Sequence, residues 1–290
     1  MQIDIVADVK PALGESPLWD VEEQRLYWVD SSTGRVFRST ADGRELRAWD
    51  VPGKIGAIAL RAGGGAVVAL QSGIHFLDLA TGEVQFVVDP EPDTPANRLN
   101  DGKVDRQGRF VVGAMDTNEK AGVAGLYRLD PDLTLHKLDD GIIVSNGPCW
   151  SPDGSVLYFA DSWSGEIRAY DYDIATGNVS GKRRFARLDT TSGAPDGSTV
   201  DSEGYLWNAQ FFDGLVVRYA PDGTVDRRIE MPVKKVTSVM FGGPDLDTLY
   251  VTSMAQKAFD HWPDDPVSRG SVFAITGLGA RGIPEVRFAG

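Results

Sequence analysis

Arg25-Leu-Tyr-Trp-Val29 followed by Gly34-Arg-Val-Phe-Arg38 decides the fold, because the same pair recurs five more times along the 290 residues. The first member returns as Ala66-Val-Val-Ala-Leu70, Phe110-Val-Val-Gly-Ala114, Val156-Leu-Tyr-Phe-Ala160, Tyr205-Leu-Trp-Asn-Ala209 and Thr248-Leu-Tyr-Val-Thr252. The second, always opened by glycine, returns as Gly73-Ile-His-Phe-Leu77, Gly125-Leu-Tyr-Arg-Leu129, Gly165-Glu-Ile-Arg-Ala169, Gly214-Leu-Val-Val-Arg218 and Gly270-Ser-Val-Phe-Ala274. Short runs rich in β-branched and aromatic residues, bounded by turn residues, read as strands. An apolar run precedes each pair, and a short strand follows most pairs, such as Leu46-Arg-Ala-Trp49 or Val84-Gln-Phe-Val-Val88. Four strands per repeat, six repeats and no helix between them predict an all-β fold: a six-bladed β-propeller of four-stranded antiparallel blades around a central channel.

The phase of the repeat is regular. Anchored on the last apolar residue of each first strand, Trp19, Leu60, Val104, Trp150, Val200 and Phe241, the intervals are 41, 44, 46, 50 and 41 residues, the size of a propeller blade. A β-sandwich of many short strands is the alternative, and it needs no such phase. Two runs are left over, Ile3-Asp-Ile-Val-Ala-Asp8 and Pro284-Glu-Val-Arg-Phe288. One or both are expected to complete the sixth blade and hide sheet edges; which strand is outermost stays open. With no linker in the chain, residues 1–290 read as one domain.

Composition agrees. The chain holds 33 glycines and 16 prolines spread along its length, which disfavours long helices. A net charge of −13 repels nucleic acid and anionic membranes, so neither is expected as a partner, and no obligate protein partner is evident. One cysteine, Cys149, excludes an intrachain disulfide and a thiolate zinc cage; it reads as a small buried hydrophobe. Met1-Gln-Ile-Asp-Ile5 has no basic region or long apolar run, so no signal peptide is expected. No stretch reaches the roughly 18 apolar residues of a membrane helix. The expectation is a soluble, cytoplasmic protein.

Four residues before each anchor stand Glu15, Gly56, Asn100, Asn146, Asp196 and Thr237. In a propeller the first strand of each blade lines the channel, so shared register places all six around one mouth. Four carry a carboxylate or amide oxygen. Two carboxylates converging in a narrow opening repel and shift each other's pKa, and a divalent cation resolves the repulsion. Glu15, Asp196 and the neutral carbonyl of Asn146 suit a hard ion such as Ca²⁺, Mg²⁺ or Mn²⁺. Plainer readings exist. Pro195-Asp-Gly197 is a turn signature, as are Pro152-Asp-Gly154 and Pro221-Asp-Gly223, but those two fall between strands of a blade. Asn146 in Ser145-Asn-Gly-Pro148 could be a left-handed turn residue. Glu15 in Leu13-Gly-Glu-Ser-Pro17 has no turn explanation.

Leu13-Gly-Glu-Ser-Pro-Leu-Trp-Asp20, Asn97-Arg-Leu-Asn-Asp-Gly-Lys-Val-Asp105, Ser145-Asn-Gly-Pro148 and Pro195-Asp-Gly197 together resemble the signatures of the SMP-30/gluconolactonase/regucalcin-like (LRE) family. The resemblance covers essentially the whole chain. It implies a six-bladed propeller with a divalent metal in its channel, and hydrolysis of sugar lactones. Carried over, the metal ligands fall on Glu15, Asn146 and Asp196, and the substrate-binding arginine and asparagine on Arg98 and Asn100. A third, acidic substrate contact falls on Asn118 or Glu119; the loop length leaves the choice open, and Glu119 is taken as the candidate. Ca²⁺ is the first choice of ion. The family is permissive, so Mg²⁺, Mn²⁺, Zn²⁺ and Fe²⁺ are alternatives.

A lactone is a cyclic ester. Opening it to the aldonic acid needs carbonyl polarisation, an activated water and oxyanion stabilisation, and a divalent metal can serve as Lewis acid. Asp196 is the candidate general base. Arg98, read as part of the Asp89–Leu99 loop, offers planar donors for vicinal hydroxyls or the developing carboxylate; a structural salt bridge is its plainer role. Asp116–Ala124 and Ala255–Arg269 are long loops expected over the same mouth as specificity walls. The second contains His261, a candidate proton shuttle or substrate contact if it is not simply a solvated loop histidine. No G-x-S-x-G is present, which argues against a serine hydrolase. Two other readings remain: a metal-dependent esterase or organophosphate hydrolase on the same scaffold, and a calcium-binding propeller without catalysis.

Overall fold

A computed structural model describes residues 1–191, 193–257 and 268–290. The expected architecture is present: six four-stranded antiparallel sheets, with a 3₁₀ turn at Ser162–Ser164 as the one helical element among the described residues. The innermost strands are Gly14–Asp20, Ile55–Leu60, Asn97–Val104, Ser145–Trp150, Ala194–Val200 and Val236–Gly242. All six anchor residues are buried, and they carry the packing between blades. Trp19 stacks on Tyr250 with ring centroids 5.8 Å apart, and Trp207 meets Phe241 edge to face at 5.6 Å.

Five sheets use consecutive strands. The sixth runs Val236–Gly242, Thr248–Ser253, Val272–Thr276 and then Gln2–Ala7, so the N-terminal run closes the ring, with Ile3 opposite Ile275. The C-terminal run adds no strand to a blade and crosses the lower ends of several. Ser202 donates to Arg281 O at 2.8 Å, Phe288 donates to Leu60 O at 2.8 Å, and Ala289 donates to Gly108 O at 3.0 Å. Phe288 is wholly buried against Phe76. Glu285 and Val286 help to close the lower channel to a cavity of about 10 Å³, room for about one water. The other mouth therefore carries the open site.

Local rules explain the turns at that mouth. Five of the six strand-opening glycines, Gly34, Gly73, Gly165, Gly214 and Gly270, have positive φ, which glycine adopts at no steric cost. Gly125 does not; it lies inside the strand Ala124–Leu129 and not ahead of it. The innermost strands share a feature the sequence did not announce. Each slips by one residue against its neighbour near its head: between Glu15 and Leu18, Ile55 and Ala57, Leu99 and Gly102, Asn146 and Cys149, Pro195 and Ser198, and Val236 and Val239. Such a bulge bends the strand and re-aims side chains. Ser16 (φ +50°) and Gly147 (φ +58°) occupy equivalent bulge positions, next to Glu15 and Asn146.

Candidate metal and substrate site

Of the six strand-head residues, the structure brings four to one cavity. Glu15, Asn100, Asn146 and Asp196 line an upper pocket of about 290 Å³, with Arg98, Glu119, Ser162, Trp163, Phe211 and Met254 among its other walls. The remaining two are structural. Gly56 lets blade two approach blade three: a Cβ there would lie 2.3 Å from Asn100 O. Thr237 is fully buried and gives its hydroxyl to Gly14 O, with Thr252 Oγ1 2.9 Å away.

Neither turn reading holds at Asn146 or Asp196. Gly197 lacks a positive φ, whereas Gly154 and Gly223 have φ of +77° and +85°, so only those two Pro-Asp-Gly triplets are tight turns. At Ser145-Asn-Gly-Pro148 the left-handed residue is Gly147, not Asn146. Arg98 is the second residue of the innermost strand, not part of a loop, because the strand starts earlier than its apolar pattern suggests. Arg98 makes no ion pair among the described residues. Its Nη1 donates to Leu99 O and Asn100 Oδ1, both at 2.9 Å. In blade three, Asn118 Nδ2 is held on Asp116 Oδ1 at 3.1 Å inside the loop, while Glu119 lines the pocket and accepts Trp163 Nε1–H at 2.7 Å. His261 lies outside the described residues. Cys149 is buried as expected, and burial pushes its thiol up to about 12.

Burial governs the electrostatics of the cavity. Glu15 Oε2 and Asp196 Oδ1 are inaccessible to solvent and have no hydrogen-bond partner among the described residues. Burial, then the charges of Asp196 and Asp101, pushes Glu15 well above the ordinary carboxylate range. Burial and then Asp101 do the same to Asp196. Two buried carboxylates with orphaned oxygens are costly unless a cation or a proton meets them. Asn146 donates Nδ2–H to Ser162 Oγ at 2.9 Å and accepts from Asn100 Nδ2 at 3.1 Å, which leaves its Oδ1 one further lone pair. The donor set, two carboxylates and an amide carbonyl, fits a hard divalent ion. No group of three His, Cys, Asp or Glu side chains that could hold a metal converges among the described residues, in this cavity or outside it; the donors here are two carboxylates and an amide. Burial lowers Arg98 to about 10, against the pull of Glu119 and Glu15, and it stays cationic at neutral pH.

Three participants were not read from the sequence. Asp101 accepts from Gly102 N at 2.8 Å and from Gly147 N at 2.9 Å, tying the bulges of blades three and four together. Its place inside Asn100-Asp-Gly102 was the available signal. Ser162 and Trp163 come from the 3₁₀ turn of blade four and carry no sequence mark of their role.

The family model for the SMP-30/Gluconolactonase/LRE-like region matches residues 13–255, which contain every residue of this cavity except Gln256. The chain belongs to the SMP-30/gluconolactonase/LRE-like family. It is 36% identical to regucalcin of Xenopus laevis over 100% of this chain and 99% of the relative. To the L-arabinolactonase of Azospirillum brasilense it is 38% identical, over 100% of this chain and 96% of that one. A solved regucalcin from Agrobacterium tumefaciens, described as a calcium-binding protein, superposes with a TM-score of 0.89 at 29% identity, covering 98% of this chain and 96% of that one. Family membership thus places this propeller among proteins that include lactone hydrolases. No helix among its described residues is long and apolar enough to cross a membrane.

Proposed function

We propose that this chain is a divalent-metal-dependent lactonase that opens a sugar lactone to its aldonic acid. The observation that carries the reading is the pair of orphaned, buried oxygens, Glu15 Oε2 and Asp196 Oδ1, in the pocket that also holds Arg98. The lactonase relative and the calcium-binding relative support its two halves. Glu15, Asn146 and Asp196 would hold the ion, Ca²⁺ by preference for all-oxygen donors. When bound, it would polarise the lactone carbonyl and balance the two carboxylates.

The chain's own groups do the rest. Asp196 accepts a proton from the attacking water as its oxygen adds to the carbonyl carbon. The ring C–O bond then breaks, and the proton passes to the departing ring oxygen, which becomes the new hydroxyl. One lactone and one water give one hydroxy acid. Arg98 faces the pocket as a cation suited to hydroxyls or to the product carboxylate. Asn100 fixes Arg98 and Asn146 relative to each other, and Glu119 offers an acceptor to a substrate hydroxyl. The test is lactone hydrolysis by metal-stripped protein, reconstituted with one ion at a time, in wild type and Glu15→Gln. Turnover that needs the ion and is lost in Glu15→Gln supports the reading. Ion binding without turnover on any lactone favours a calcium-binding propeller, and turnover of phosphotriesters alone favours an organophosphate hydrolase.

A further inference from the structure

One turn of blade four reaches both halves of the pocket. Ser162 and Trp163 are consecutive residues of the 3₁₀ turn. Ser162 Oγ accepts from Asn146 Nδ2 at 2.9 Å, and Trp163 Nε1 donates to Glu119 Oε2 at 2.7 Å. The turn itself is anchored. Ser162 N donates to Val144 O at 3.0 Å, and Asp161, just before it, accepts from the backbone of Ile143 and Val144 and from Arg168. Trp163 is therefore positioned, not loose.

Its environment differs from that of the other described tryptophans. Trp19, Trp28, Trp150 and Trp207 are buried in the packing between and within blades, and Trp49 sits under Arg38 with its N–H on Leu79 O. Trp163 is half-buried and lines the pocket. Among the described residues no other ring or cation stacks on it. Glu119 holds a positive φ of +58°, a conformation costly for a non-glycine residue, and it places the carboxylate where the indole N–H meets it. Glu119 Oε1 takes no hydrogen bond among the described residues.

We propose that Trp163 is a specificity-determining residue of this pocket: its indole takes the C–H face of a sugar ring, and its N–H occupies Glu119 Oε2 so that Oε1 accepts a ring hydroxyl. The proposal rests on the lactonase reading and names the chemistry that the site selects, polyhydroxylated rings over bare ones. An aromatic face is electron-rich and attracts polarised C–H groups. A few fixed polar groups beside apolar walls set orientation and selectivity in small-molecule pockets. A site built to hydrogen-bond a hydroxyl discriminates strongly against the analogue that lacks it.

Two variants separate the two tasks. Trp163→Phe keeps a ring but loses the N–H, whereas Trp163→Leu loses both. Glucono-1,5-lactone and δ-valerolactone share a six-membered lactone ring and differ in their hydroxyls. Trp163→Phe should raise KM for glucono-1,5-lactone about tenfold and leave δ-valerolactone within about twofold, since only the hydroxylated ring uses Glu119. Trp163→Leu should raise KM for both, with kcat little changed, because binding common to ground and transition states is lost. Ca²⁺ affinity should match wild type in both variants. Glucono-1,5-lactam, which resists hydrolysis, provides a readout independent of turnover, and its affinity should fall about tenfold in Trp163→Leu. Failure of the wild type to open any lactone, with lactam binding still lost in Trp163→Leu, sinks the lactonase reading and leaves the sugar platform standing. Unchanged lactam binding in Trp163→Leu overturns the platform. Equal effects of Trp163→Phe on the two lactones overturn the assignment to Glu119 and reduce Trp163 to a support for its loop.

Discussion

Arg98 donates Nη1–H to Asn100 Oδ1 at 2.9 Å, and that one bond sets the direction of two amides. A guanidinium has no acceptor, so Asn100 must turn its oxygen toward Arg98 and its Nδ2 toward Asn146. Asn146 then presents Oδ1 to Asn100 at 3.1 Å and Nδ2 to Ser162 Oγ at 2.9 Å. The Arg98 guanidinium and the Asn146 carbonyl are joined through a chain in which every donor and acceptor is fixed.

Ser162 ends that chain, and its removal leaves Asn146 held from the Asn100 side only. Partners that orient a metal ligand typically matter about 10- to 100-fold in metal affinity or activity. Ser162→Ala should therefore weaken Ca²⁺ binding by that order while leaving the far-ultraviolet spectrum of the propeller unchanged. Calorimetric titration of the stripped variant measures it; wild-type affinity would show that Asn146 needs no such support.

A second expectation concerns pH. Glu15 and Asp196 are both raised above the ordinary carboxylate range, by burial first and then by neighbouring carboxylates. A group with a raised folded-state pKa contributes its stability below the unfolded value, about 4 for a carboxyl. It loses that contribution as pH rises through the folded value. The metal-free protein should thus lose stability from about pH 4 upward relative to Glu15→Gln. Saturating Ca²⁺ should reverse the order of the two proteins. Tm against pH, with chelator and with Ca²⁺, reads both effects; parallel curves for the two metal-free proteins would falsify the claim.

The lower mouth gives a test of the fold itself. Phe288 is fully buried, packs on Phe76, and has both backbone polar groups bonded to blade two, to Leu60 O and Ala62 N at 2.8 Å. Truncating a buried phenylalanine costs about 3–5 kcal/mol. Phe288→Ala should lower denaturant stability by that amount, with Ca²⁺ affinity retained because the tail lies at the far end of the channel. A change below about 1 kcal/mol would mean that the tail only rests on the blades.

The sequence disclosed what depends on periodicity. Strand pairs such as Arg25–Val29 with Gly34–Arg38 repeat with the blade, so anchors and strand heads could be counted, and Glu15, Asn100, Asn146 and Asp196 came out of that register. It hid what depends on neighbours distant in the chain. Ser162 and Trp163 act on Asn146 and Glu119 only because blade four folds beside blade three. The bulges need one extra residue and no particular side chain, so Ser16 and Gly147 look unrelated in sequence although they do the same work. Arg98 looked like a loop residue because a buried cation interrupts the apolar pattern of its strand. The choice between Gly56 or Thr237 as lining and as structure rested on contacts with Asn100 O and Gly14 O, which no local pattern encodes.

The last prediction separates binding from chemistry within the pocket. Arg98 lies on the substrate side of the amide chain, and its guanidinium cannot ligate a cation. Arg98→Ala should cost about 10- to 100-fold in kcat/KM, the worth of a charge-assisted hydrogen bond, and still bind one ion per chain. Asp196→Asn removes a negative ligand and also the group assigned as base, worth about 10²–10⁴ in rate. It should lose kcat as well as ion affinity, and raising the Ca²⁺ concentration to saturation should recover the ion but not the rate. Metal stoichiometry measured beside kcat and KM for both variants decides the matter. If Asp196→Asn regains wild-type kcat once it is saturated with Ca²⁺, Asp196 is a ligand only and the base lies elsewhere. If Arg98→Ala loses its ion, the guanidinium serves the metal side by holding Asn100 and Asn146 in place, and its role in substrate binding fails.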